Sequence, residues 1–122
     1  LLGVFSPEER IGKSNLSDLR EGKQTPLMLR ARQLPVWDAI RDHVGRPDLD
    51  QATADAVRRE LAGSGAPHEV VGWVRDGLAQ VTAGAGALPP ALGRVVLEMA
   101  QQVHVALDEV VADIEEARCP VA

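Results

Sequence analysis

Residues 89–117 read PPALGRVVLEMAQQVHVALDEVVADIEEA. Leu92, Val95, Val96, Met99, Val103, Ala106, Leu107, Val110, Val111 and Ile114 recur at three- and four-residue steps. That spacing keeps apolar side chains on one face of a helix. Pro89 and Pro90 launch it, because a proline in the first turn lacks an N–H that would be unpaired there anyway. Asp108, Glu109, Asp113, Glu115 and Glu116 form an acidic outer face. Neither Asp108–Glu109 nor Glu115–Glu116 makes a metal pair, since adjacent helical residues point about 100° apart. His104, next to the stripe, reads as a satisfied structural residue. A helix of this length sets the expectation of an all-α fold.

Working outward, Pro67 starts a helix running to about residue 83, with Val70, Val71, Val74, Leu78 and Val81 as its stripe. Gly72 and Gly77 each weaken it by roughly 1 kcal/mol relative to Ala, so packing must hold it. His68 reads as a surface residue. Gly84-Ala85-Gly86-Ala87 is a connector and not a phosphate loop, because no lysine follows and no strand precedes it. Asp50 or Thr53 opens an earlier helix, with Ala54, Val57 and Leu61 inward and Asp55, Arg58, Arg59 and Glu60 outward; Gly63, Ser64 and Gly65 end it. Arg58-Arg59 reads as a solvated face. Thr25 caps and Pro26 begins another helix carrying Leu27, Met28, Ala31 and Leu34. Pro35 breaks it near residues 33–34. A short helix follows with Val36, Trp37, Ile40 and Val44, stopped by Gly45 and Pro47. Trp37 reads as a core or rim residue.

The 122 residues make one domain's worth of chain. A net charge of -5 argues against a nucleic-acid partner. The aromatics are Phe5, Trp37 and Trp73, so the core must be aliphatic. Cys119 is the single cysteine and forms no internal disulfide, which fits a reducing, cytoplasmic compartment. No stretch approaches the roughly 18 apolar residues of a membrane span. HExxH, GxSxG and Walker patterns and Cys/His clusters are all missing, so no catalytic set is complete.

Residues 1–26, LLGVFSPEERIGKSNLSDLREGKQTP, resist any periodic reading. Residues 1–5 read as the end of a helix, stopped by Ser6-Pro7. A long loop is then expected through Gln24. It carries Gly12-Lys13 and Gly22-Lys23, which flank Asp18 and Arg20. Glycine lets backbone approach an anion, and lysine brings a compact positive charge to a phosphate. Arg20 and Glu21 read as a local surface ion pair, worth roughly 0–1 kcal/mol.

LLGVF, Gly12-Lys13 and DLREGK at residues 18–23 together resemble the region after the second aspartate-rich motif of the trans-prenyl (polyprenyl) diphosphate synthases. The likeness covers residues 1–25, about a fifth of the chain. It implies an isoprenoid-synthase-type helical bundle, with residues 1–24 as a diphosphate-contacting loop and 25–122 as the C-terminal helices. It further implies a magnesium-dependent condensation of isopentenyl diphosphate with an allylic diphosphate, in an enzyme that is usually a homodimer. Lys13 and Lys23 match the family's two lysines on the allylic diphosphate. Asp18 matches an acidic residue near a metal, acting through water. Gly12 and Gly22 would let the loop fold over the phosphates. The paired aspartates that bind most of the Mg2+ would lie upstream of Leu1, so this chain alone is expected to be inactive. The family's basic C-terminal tail is replaced by EEARCPVA. A non-catalytic partner subunit, a terpene cyclase relative and a plain helical interaction domain are the alternatives; DLREGK speaks against the cyclase.

Overall fold

A computed structural model describes residues 1–12 and 15–119. Among them are eight helices and no strand: α1 (Leu2–Phe5), α2 (Glu8–Ile11), α3 (Ser17–Glu21), α4 (Pro26–Ala31), α5 (Val36–Ile40), α6 (Gln51–Gly63), α7 (Ala66–Ala85) and α8 (Pro90–Arg118). The fold is all-α, as the periodicity predicts. No helix among the described residues is long and apolar enough to cross a membrane.

Two helices, α4 and α6, start where the sequence signals place them. The Thr25 hydroxyl accepts from Met28 N at 3.3 Å. The Asp50 carboxylate accepts from Thr53 N at 2.7 Å. Each cap satisfies one of the unpaired N–H groups of a first helical turn. At Gly65 the backbone turns left-handed (φ 83°) between α6 and α7, a conformation that favours glycine.

α8 is the packing centre and lies against α7, α6 and α1. Its C-terminal half supplies Leu107, Val110 and Ile114 to a core completed by Val4, Leu19, Leu27, Leu61 and Val71. Ile114 is fully buried. Close approach of α7 and α8 depends on Gly93, where a Cβ would stand 2.8 Å from the Ala85 carbonyl oxygen.

Three expectations are corrected. Residues 1–24 are not one long loop, because α2 and α3 lie within them. Both are single turns, too short to show a period, and α3 is fixed by burying Leu19 against the core. Arg58 is not on a solvated face: it is 6 % exposed. The guanidinium of Arg20 turns to the Leu49 carbonyl and not to Glu21.

The apolar stripes also run further than the core they cover. Leu92, Val95, Met99 and Val103 on α8 and Val81 on α7 are exposed, Met99 by 61 %.

Candidate functional site

α3 and the turn after it carry Asp18, Gly22 and Lys23 of the candidate site. Gly22 caps α3 in the left-handed region (φ 63°) and turns the chain at once. Lys23 therefore starts a new direction, with its backbone N–H bonded to the Asp18 carbonyl at 3.2 Å. Its ammonium donates to Asp18 Oδ1 at 3.0 Å and stands 3.4 Å from Glu21 Oε2. Lys23 is held above its ordinary value, chiefly by the Asp18 hydrogen bond and next by the Asp18 charge. It stays a cation throughout the neutral range.

Asp18 is the less exposed partner of the two. Its carboxylate lies over the backbone of Gly3, where a Cβ would come within 2.6 Å of Asp18 Cγ. The glycine of LLGVF and the aspartate of DLREGK are thus one packing unit. Gly22 rests on Gly45 in the same way, with a built Cβ 3.1 Å from Gly45 Cα.

The structure brings Asp18, Gly22 and Lys23 together. Gly12 ends α2 in a left-handed turn (φ 68°), and a Cβ there would meet nothing within 4 Å. Lys13 lies outside the described residues. No three acidic, His or Cys side chains among the described residues could hold a metal ion together. Asp18 and Glu21 flank the Lys23 ammonium, so an incoming diphosphate would have to compete with both carboxylates for it.

Two clefts are lined in part by other residues of the N-terminal segment, and neither by Asp18, Gly22 or Lys23. The polar one, about 470 Å³, is lined among others by Phe5, Arg10, Asn15, Asp55, Arg58 and Asp113. In it Asp113 Oδ2 accepts from Ser6 Oγ at 2.9 Å and from Arg10 Nη1 at 2.6 Å, tying α2 to α8. Arg58 donates from Nε to the Val4 carbonyl at 2.6 Å, from Nη1 to Asp55 Oδ1 at 2.6 Å and from Nη2 to the Asn15 carbonyl at 2.8 Å. The apolar cleft, about 360 Å³, runs between α7 and α8 past Leu2, Gly3, Leu27, Val74, Val103 and Val110.

Arg58, Ser6 and Asp113 do not stand out as functional residues in the sequence. For Arg58 a signal does exist, since residue 58 stands four after Ala54 and three before Leu61, on the buried stripe of α6. His68, on the surface as expected, places Nε2 2.7 Å from Glu115 Oε1 and joins α7 to α8.

Comparison with protein-family models, with curated proteins and with solved structures finds no match to this chain.

Proposed function

We propose that this chain is the C-terminal helical part of a trans-prenyl diphosphate synthase, in which Lys23 contacts the diphosphate of the allylic substrate. One observation carries the reading. In the segment that resembles the family, the left-handed Gly22 turns the chain into Lys23, whose ammonium is fixed 3.0 Å from Asp18 Oδ1. A fixed ammonium stabilises the negative charge that develops on a departing diphosphate.

In the reaction the allylic C–O bond breaks and diphosphate leaves with the electron pair. The double bond of isopentenyl diphosphate attacks the carbocation, and loss of a proton restores an alkene. Magnesium, held by aspartates outside this chain, would neutralise the leaving group. The described residues make no magnesium site of their own, and Asp18 alone would reach a metal, through water. Lys13 would join Lys23 on the same diphosphate, and Gly12 would shape the approach. The exposed apolar stripes of α7 and α8 suit helices that face further helices in a larger bundle or a homodimer.

That same apolar face favours a second reading, a non-catalytic partner subunit or helical interaction domain. Titration with inorganic pyrophosphate and magnesium separates the two. The synthase reading expects Lys23→Met to weaken binding about tenfold, or about 1.4 kcal/mol. Binding unaltered by Lys13→Ala and Lys23→Ala together supports the interaction domain instead.

A further inference from the structure

Lys23 owes its place to α3, and α3 cannot place itself. It has five residues, its N-cap is Leu16, and no side chain caps it. Isolated helices shorter than about 12 residues are marginal in water. The forces that locate α3 must come from outside it.

Burial of Leu19 against the core supplies one of them, and two arginines supply the others. At the N-terminal end, buried Arg58 of α6 reaches the Asn15 carbonyl, just before the Leu16 cap, while its Nε takes the Val4 carbonyl at the end of α1. Asp55, one turn earlier on α6, accepts from Nη1 and fixes the rotation of the guanidinium. At the other end, Arg20 donates from both Nε (2.9 Å) and Nη2 (2.7 Å) to the carbonyl of buried Leu49. Gly45 N donates to the Leu19 carbonyl at 2.8 Å beside it. Each guanidinium spans acceptors or approaches in a planar fork that a lysine ammonium cannot reproduce.

We propose that Arg20 and Arg58 are positioning residues that pin α3 from its two ends and so set where the Lys23 ammonium stands. The functional half of this claim rests on the diphosphate reading of Lys23. Neither arginine touches the diphosphate; both act through the α3 backbone.

The test uses Arg20→Met and Arg20→Lys, alone and with Lys23→Met. Arg20 lies at the partly exposed edge, so these variants fold even if Arg58→Met, which strands two carbonyls, does not. Two quantities are read: amide hydrogen exchange at Arg20, Gly22 and Lys23, and the affinity for inorganic pyrophosphate with magnesium. Both Arg20 variants are expected to speed exchange at these amides about tenfold while the α7 and α8 amides keep their protection. Arg20→Met should weaken pyrophosphate about fivefold in the wild-type background and cause no further loss in Lys23→Met, because the two changes act on one interaction. Unchanged exchange across α3 overturns the proposal, as do losses that add in full. If the unsubstituted chain binds no pyrophosphate, the diphosphate reading falls, and the exchange rates alone decide the positioning claim.

Discussion

Gly3 makes room for Asp18: the carboxylate lies where a side chain at residue 3 would begin, with Cγ 2.6 Å from the position of a Cβ. Gly3→Ala therefore has to displace Asp18, and with it the partner of Lys23. Overpacking of this kind costs about 1–3 kcal/mol. Because Asp18 is the largest cause that raises the Lys23 pKa, with Glu21 second, the substitution should also move that pKa down toward its ordinary value of 10.5. NMR titration of the Lys23 side chain reads this directly. A variant with unchanged stability and an unchanged Lys23 titration would show that the two loci are independent.

Gly22→Ala tests the turn that aims Lys23. Residue 22 sits at φ 63°, and a Cβ would press on Gly45 Cα at 3.1 Å. Left-handed backbone at a non-glycine residue costs of order 1–3 kcal/mol. Chemical denaturation should show at least that loss, whereas Gly12→Ala, whose Cβ would meet nothing, should lose only the backbone share.

Ile114→Ala probes the packing centre. Ile114 is fully buried on α8. Truncation of such a residue typically costs 2–5 kcal/mol through lost transfer energy and the cavity left behind. The urea midpoint should fall accordingly. A loss near zero would mean that α8 is not the organising helix.

The fold was legible in the sequence wherever an element was long or chemically capped. Thr25-Pro26, Asp50 and Pro89-Pro90 announce their helices through unpaired N–H groups that need a partner or none. α2 and α3 were not legible, because a single turn has no repeat to detect and is held by contacts distant in sequence. The same holds for the site. Gly22, Lys23 and Asp18 are neighbours in the chain and meet in space. Arg58 meets Val4 across 54 positions, and only its place on the buried stripe of α6 hints at it. The apolar stripes of α7 and α8 were read correctly as helical, yet periodicity says nothing of how much of a stripe is covered.

Acid should loosen the contact between α4 and α7. Arg30 Nε donates to Glu69 Oε2 at 2.6 Å and Arg30 Nη2 to Oε1 at 3.1 Å. The Arg30 hydrogen bond holds the Glu69 carboxyl below its ordinary value of 4.5. A depressed carboxyl contributes stability that is complete above the unfolded-state value and is lost as pH falls through the folded one. Melting temperatures of the wild type and Glu69→Gln should therefore differ by a constant amount above about pH 5.5 and converge below 4.5. A gap that persists at pH 2 would mean that the pair contributes nothing through charge.

The central claim is that Lys23 contacts a diphosphate. The most direct measurement is a calorimetric titration of the chain and of Lys23→Met with inorganic pyrophosphate, with and without magnesium. The synthase reading expects pyrophosphate to bind the chain, with an affinity about tenfold weaker in the variant. Equal affinities for the two proteins, or no heat of binding under either condition, would contradict it.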